Sequence, residues 1–377
     1  MKHGGLRQNM SKINSVLYPF SHEAVCISRY FALTDYKITT AIIPEKLPVH
    51  CLNMSYFDDL NNNDITISYD FVSSINYCDT VIWAPYNYKD IGKYFKEVTE
   101  HISFAISSGK NIICLESLSR DILEEFVALS KLYQVSFTYL NFNNGNYNVT
   151  DLLELKKINT PVITVVGISE NVDKFSTQLY VRDAFLQAGY KVSQIGSKPY
   201  SELFGIRPYP SFMFEPNISE KQKILNFNNY IHELEINENP EVIIIGIPGE
   251  IMRINNRFLF NFGITLFLSS CAYDSDFTVL CMGCNKINAD FLSQCKKILY
   301  YKYSMPVDCC FISNIRLNED SLKSNYADLE VDILPKLLFG NEKESVKQYA
   351  DLAVFDINDS KDSFIEYIQK ALRQEVL

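Results

Sequence analysis

The stretch PVITVVGISENVDKFST, from Pro161 to Thr177, decides how the second half of this chain is read. An apolar run, Val162 to Val166, is followed by Gly167, six residues, Lys174, and then the hydroxyls Ser176 and Thr177 at a helix start. That order is the outline of a phosphate-binding loop: backbone N–H groups wrap the phosphates, a lysine ammonium reaches the terminal ones, and a hydroxyl ligates Mg²⁺. Two positions depart from the outline. The residue before the lysine, normally glycine, is Asp173, and the residue after it, normally a hydroxyl, is Phe175. A carboxylate at Asp173 stands where a phosphate would lie, and at about 4 Å two like charges repel by several kcal/mol unless well solvated. An ordinary strand-to-helix turn with a surface lysine remains the alternative.

Outward from this loop, strand-like and helix-like patterns alternate in both directions. Upstream, Ser15 to Phe20, Lys37 to Pro44, Asp79 to Pro85, Asn111 to Leu115 and Val135 to Leu140 read as strands. Between them, His22 to Leu33, a segment carrying Ile91, Phe95, Val98, Ile102 and Ile106 at helical spacing, and Ser119 to Tyr133 read as helices. Downstream, strands are expected at Lys191 to Ile195, Glu241 to Ile247, Phe277 to Met282 and Val307 to Ile312. Helices are expected at Lys174 to Ala188, Glu220 to Leu234, near Asn255 to Leu268, Ala289 to Tyr300 and Lys361 to Arg373. Such alternation predicts mostly parallel sheets covered on both faces. The Asn- and Gly-rich stretch Asn141 to Asn148, followed by the charged Asp151 to Lys157, divides the chain. We therefore expect two α/β domains, a Rossmann-like one over residues 1–150 and a degenerate P-loop-NTPase-like one over residues 151–377. A length of 377 residues exceeds what one core normally sustains and agrees with that division.

Composition narrows the function. Hydrophobic residues make up 47% and charged residues 21%, which excludes a disordered chain. A formal net charge of −10 argues against nucleic acid as the partner. The polar Met1 to Met10 segment lacks the apolar core of a signal peptide, and no apolar run approaches the roughly 20 residues of a membrane span. Ten dispersed cysteines then read as reduced, mostly buried thiols, and a cytoplasmic location is expected. Cys281-Met-Gly-Cys284 has metal-ligand spacing, but one CxxC supplies two of the four ligands of a closed site, so neither a metal site nor stoichiometric iron or zinc is expected. The five histidines show no HxH or HExxH spacing, and His22-Glu23 reads as a helix start with a favourable dipole rather than a catalytic pair. No catalytic residues can be assigned.

Five residues between Gly167 and the Asp173 position make the loop resemble that of dethiobiotin-synthetase-like P-loop proteins. In those proteins a second apolar strand ends in an acid that senses Mg²⁺ and the terminal phosphate. The corresponding strand here, Val242-Ile-Ile-Ile-Gly-Ile-Pro-Gly249, has Gly246 at the place of the acid. The resemblance therefore implies a P-loop-like fold without the usual hydrolytic mechanism. A third loop, Ser193-Gln-Ile-Gly-Ser-Lys-Pro-Tyr-Ser-Glu-Leu-Phe-Gly205, leaves the carboxyl end of a strand, the edge at which open α/β sheets bind ligands. The three loops are expected to form one ligand-binding cleft lined by Gly167, Asp173, Lys174, Ser176, Thr177, Gln194, Ser197, Lys198, Gly246 and Gly249, with Lys174 and Lys198 exposed.

Tyr18-Pro-Phe20 with Arg29-Tyr30, the loop ending Asp173-Lys174-Phe175, Gln194-Ile-Gly-Ser-Lys198 with Ser201-Glu202, and Ile243-Ile-Ile-Gly-Ile-Pro-Gly249 together resemble the bacterial "peptide maturation system protein" family. The likeness extends over most of the chain and is weakest from about Asn318 to Gly340. It implies a genomic setting beside small Cys-rich bacteriocin-like precursor peptides and a radical S-adenosylmethionine maturase. The role it implies is accessory: a scaffold in maturation of a ribosomally made peptide, with the precursor peptide or the maturase as partner. On that reading no cofactor is needed. The alternative is a nucleotide-dependent ATPase or ligase in the same pathway, using ATP or GTP with Mg²⁺ gripped by Lys174.

Overall fold

The computed structural model of the chain describes residues 12–44, 64–86, 91–142, 149–170, 172–253, 263–285, 287–318 and 331–374. The expectations for Met1 to Met10 and for Asn143 to Asn148, and most of the helix foreseen near Asn255, lie outside the described residues. The chain divides into two compact units, Leu6–Asn144 with Pro199–Gly205, and Gly145–Lys198 with Ile206–Leu377.

In the first unit the elements run β1 (Ile13–Tyr18), α1 (Val25–Tyr30), β2 (Tyr36–Ile42), β3 (Thr66–Ser68), α2 (Phe71–Ser74), β4 (Thr80–Trp83), α3 (Ile91–Ser107), β5 (Asn111–Cys114), α4 (Arg120–Leu132) and β6 (Phe137–Tyr139). The sheet order β3-β2-β1-β4-β5-β6, parallel throughout, is the order of dinucleotide-binding sheets. Among the described residues of this unit, β3 and the one-turn α2 are the elements without a sequence signal, because three or four residues show no periodicity. One face of the sheet buries Val16, Tyr18, Val81 and Trp83 against Val98, Ile102 and Ile106 of α3 and Phe126 of α4. The 3.6-residue spacing of those α3 residues follows from this contact.

The second unit continues with β7 (Val162–Gly167), α5 (Lys174–Gln187), β8 (Val192–Gly196), β9 (Arg207–Pro208), α6 (Glu220–Glu238), β10 (Val242–Gly246), α7 (Ile264–Ser270), β11 (Phe277–Gly283), α8 (Ala289–Tyr303), β12 (Cys309–Ser313), β13 (Ile315–Leu317), β14 (Val331–Ile333), α9 (Lys336–Tyr349), β15 (Ala353–Phe355) and α10 (Lys361–Gln374). Its main sheet is parallel in the order β15-β12-β11-β7-β10-β8-β9, while β13 and β14 form an antiparallel ribbon. Every residue of β7, β10 and β11 is buried, as expected for central strands covered on both faces. The amino edge is tied by side chains: Asp276 accepts from Val162 N at 2.7 Å and Asp308 from Thr278 N at 2.7 Å. Tyr180 of α5 meets Phe311 and Phe364 edge-on or tilted at 5.3 and 5.5 Å and donates to Asp359 O, which docks α5 against the end of the chain.

Candidate functional site

Because β7, β8 and β10 are parallel and adjacent through β10, their carboxyl ends open on one edge. At that edge the β7–α5 loop reaches the turn after β10 through Lys174 and Gly249, and α5 reaches the end of β8 through Gln178 and Ser197, whereas Pro199–Gly205, the rest of the third expected loop, belongs to the first unit. Gly167 closes β7. A side-chain carbon at that position would come within 2.5 Å of Lys174 Cδ and 2.8 Å of Val172 Cγ2, so glycine is required for the lysine stem to cross the strand end. Asp173 adopts φ 57° and ψ 31°, the left-handed conformation, and α5 begins at the next residue. Glycine is the easy residue for that conformation, and Asp is among the few others that tolerate it. The backbone turn of a phosphate loop is thus kept although the glycine is not. Asp173 provides no side-chain cap to α5; its Oδ1 accepts from the Ser176 hydroxyl, and its backbone oxygen accepts from Thr177 N at 3.1 Å and Thr177 Oγ1 at 3.3 Å.

Lys174 departs from expectation. It is buried, at 4% exposure, and its Nζ donates to the backbone oxygen of Gly249 in the turn after β10. Burial pulls the ammonium pKa down; the nearby Glu170, Cys281 and Glu250 act against that shift, and Lys198 adds to it. The stem crosses Gly167 while the tip reaches a carbonyl 75 residues away in sequence, so the amine lies inside the edge rather than in solvent. Ser197 and Gln194 are also buried, at 7% and 2% exposure, whereas Lys198 is half-buried. The expectation of an exposed Lys174 is thereby corrected.

Gly246 has a definite physical reason to be glycine. A side-chain carbon there would overlap the amide of Gln178, one turn along α5 from Lys174, far inside van der Waals contact. Gln178 is fully buried and clamps β8: its Nε2 donates to Ser197 Oγ at 2.7 Å and its Oε1 accepts from Ser197 N at 3.1 Å. The volume that a metal-sensing carboxylate would occupy is filled by a neutral amide. Sequence reading missed Gln178, although its i+4 spacing from Lys174 places both on one helix face.

Gln194 shares the sheet face of Ile244, its register partner, and of Gly246 two residues further on. Both atoms of its buried amide lack hydrogen-bond partners among the described residues, as does the hydroxyl of buried Ser169 in the β7–α5 loop. Cys281, beside β7 in register with Gly167, is fully buried, and burial pushes its thiol up to about 12. Cys284 is pushed up to about 12 for the same reason, so both are protonated at neutral pH. Among the described residues, no three His, Cys, Asp or Glu side chains gather as a metal-binding group, and no helix is long and apolar enough to cross a membrane.

The arrangement holds the backbone geometry of a phosphate loop with its electrostatics rewritten. Lys174 is engaged by Gly249, Asp173 adds a negative charge at the helix start, and Gln178 replaces the metal-side acid.

No protein-family profile matches the sequence, and no curated protein matches it. Solved structures do. A DUF1611 family protein from Anabaena variabilis superimposes with a TM-score of 0.62 at 10% identity, covering 96% of this chain and 100% of that one. Chloroplast FtsY from Physcomitrella patens gives a TM-score of 0.33 at 12% identity over 80% and 93% of the two chains. Homoserine dehydrogenase of S. aureus gives 0.25 at 10% identity over 34% and 32%. By its TM-score only the first bears on this chain, and at 10% identity it bears on the fold alone: the chain has an α/β architecture of two mostly parallel sheets, Rossmann-like then P-loop-like, and superimposes on that protein along nearly its whole length.

Proposed function

We propose that this protein is an accessory subunit in the maturation of a ribosomally synthesised peptide, binding the precursor peptide or its maturase at the carboxyl edge of the second sheet. One observation carries the choice of binding over hydrolysis: the Gln178 amide fills the space above Gly246, leaving no room for a metal-side carboxylate. Phosphoryl transfer depends on a positioned metal and on cations aimed at the phosphates. Lys174 is directed to Gly249 instead, which supports the same reading. The peptide pathway itself rests on the family resemblance of the Tyr18-Pro-Phe20, Asp173-Lys174-Phe175 and Gln194–Lys198 segments.

The left-handed turn at Asp173 and the glycine under the Lys174 stem favour the alternative, a nucleotide-dependent enzyme of the same pathway. Calorimetry with Mg²⁺ and ATP or GTP, paired with a phosphate-release assay, separates the two. The accessory reading expects no saturable heat and no release above background; a micromolar dissociation constant or metal-dependent release favours the enzyme. Capture of the precursor peptide or maturase on immobilised protein, weakened by Lys198→Ala at an unchanged melting temperature, supports the edge as the docking place.

A further inference from the structure

Residues 149–160, which lead into β7, belong to the second unit and form no helix or strand, yet side chains of α6 hold their backbone at defined points. The carboxamide of Asn226 pairs with Thr150 in both directions: Oδ1 accepts from Thr150 N and Nδ2 donates to Thr150 O, each at 3.0 Å. Asn228 treats Lys156 in the same way, accepting from its N at 2.7 Å and donating to its O at 2.9 Å. Further on, a single oxygen of Glu235, Oε1, accepts from Asn159 N at 2.8 Å, Thr160 N at 2.7 Å and the Thr160 hydroxyl at 2.9 Å.

The side chains of residues 150–156 add little to this attachment. Leu153 is 86% exposed and Leu155 51%, Asp151 and Glu154 are exposed, and Leu152 is half-buried. Lys156 Nζ donates to Asn229 Oδ1 from an exposed position. Apolar burial, the usual anchor of a chain segment, is therefore largely missing here. The backbone anchors also differ in kind. Bonds to the Glu235 carboxylate are charge-assisted and stronger than those to the two neutral carboxamides.

The helix side suits release. Asn226 and Asn228 are buried, and each has a second acceptor for its Nδ2: Gln222 O at 2.8 Å for the first and Ala272 O at 2.8 Å for the second. If residues 150–156 lift away, both amide donors stay bonded and both Oδ1 atoms meet water, so no buried polar group is orphaned.

We propose that residues 150–156 are a strap that opens and recloses on the folded second unit, latched by Asn226 and Asn228 and hinged where Glu235 holds Asn159 and Thr160. Opening is a local event of the kind that leaves the core intact. It frees a segment carrying Leu152, Leu153 and Leu155 and uncovers two carboxamides that bond peptide backbone whatever its side chains. The device does not depend on the accessory reading.

The test is native-state hydrogen exchange of the full chain, read amide by amide, together with chymotrypsin digestion. In the parent, the Thr150 and Lys156 amides are expected to exchange about tenfold or more slower than in a free peptide, and about tenfold or more faster than those of Ile244 and Ile245 in β10. Asn226→Ala combined with Asn228→Ala is expected to bring Thr150 and Lys156 to the free-peptide rate and to speed cutting after Leu153 or Leu155 about tenfold. The amides of Asn159, Thr160 and β10 keep their parent rates. If Lys156 exchanges as slowly as Ile244 in the parent, the strap opens only when the unit unfolds, and the inference falls whatever the variant does. If Lys156 already exchanges at the free-peptide rate, the strap is never latched, and the inference falls as well. A double variant that leaves Thr150 and Lys156 at parent rates, or that speeds β10 equally, overturns the role of the two asparagines as the latch.

Discussion

The first βα turns of the two units occupy equivalent places in two parallel sheets and have been built in opposite ways. In the first unit β1 runs into Pro19, Phe20 and Ser21; Phe20 is fully buried and its N–H is bonded to Ile42 O at 2.7 Å. Side chains fill the place where a dinucleotide turn keeps glycines for close approach of the pyrophosphate. Just inside it, Tyr18 donates to or accepts from His101 Nδ1 at 2.6 Å, and His101 stacks on Phe71 at 4.5 Å. In the second unit the turn keeps Gly167, a left-handed residue and a lysine at the helix start; Lys174 donates to Gly249 O and Asp173 accepts from the Ser176 hydroxyl. One turn has become core. The other has stayed a polar loop whose lysine and carboxylate are bonded to a backbone carbonyl and a hydroxyl. Strand order alone therefore does not identify a ligand site; the side chains at the strand ends do.

Burial acts on the ionisable groups of both edges. Glu116, after β5, is raised by burial although Tyr86 N and Ser117 N, each at 2.9 Å, favour its ionised form. Lys174 is lowered by burial. In each case the charged form is the one disfavoured.

The contrast can be broken most severely at Gly246. Gly246→Ala forces a carbon into the Gln178 amide and disrupts its two bonds to Ser197, at a cost of about 3 kcal/mol, read as a lowered urea midpoint. Lys174→Met leaves Gly249 O without its donor and costs about 2 kcal/mol at neutral pH. Its pH dependence sharpens the point. The folded-state pKa of Lys174 lies below the unfolded value, so between the two the unfolded chain holds more protons and parent stability rises with pH. The gap between parent and Lys174→Met is expected to be constant below the folded pKa and to widen as pH climbs towards 10.5; a flat gap in midpoints measured across that range would show that the amine is not buried.

Gln194→Leu tests the opposite sign in the same unit. Both amide atoms are buried without partners among the described residues, so an apolar side chain of similar size is expected to raise stability by about 1 to 2 kcal/mol, seen as a higher melting temperature. In the first unit, Tyr18→Phe removes one hydrogen bond within a packed aromatic group and is expected to cost about 1 kcal/mol by denaturant titration, with no effect on partner capture.

Much of this molecule follows from its amino-acid order. Buried parallel strands are near-continuous apolar runs, as Val162 to Val166 and Val242 to Ile245 are, and the helices between them show the periodicity of one packed face, as Val98, Ile102 and Ile106 do. That the carboxyl ends of β7, β8 and β10 share one edge also follows, because parallel strands carry those ends together. The short β3, with three residues, carries no periodic signal and needed its neighbour β2 to exist. What tertiary structure alone decided is the state of the side chains at that edge. Lys174 and Gly249 are 75 positions apart and Ser197 and Gln178 are 19 apart, and their pairing depends on the packing of α5 across β10. From sequence Gly246 is a missing acid and Lys174 a surface cation; in the fold Gly246 is the room that Gln178 occupies, and Lys174 is a buried donor. Hydrophobic periodicity is a local property of the chain, whereas burial and hydrogen-bond partnership are set by residues distant in sequence.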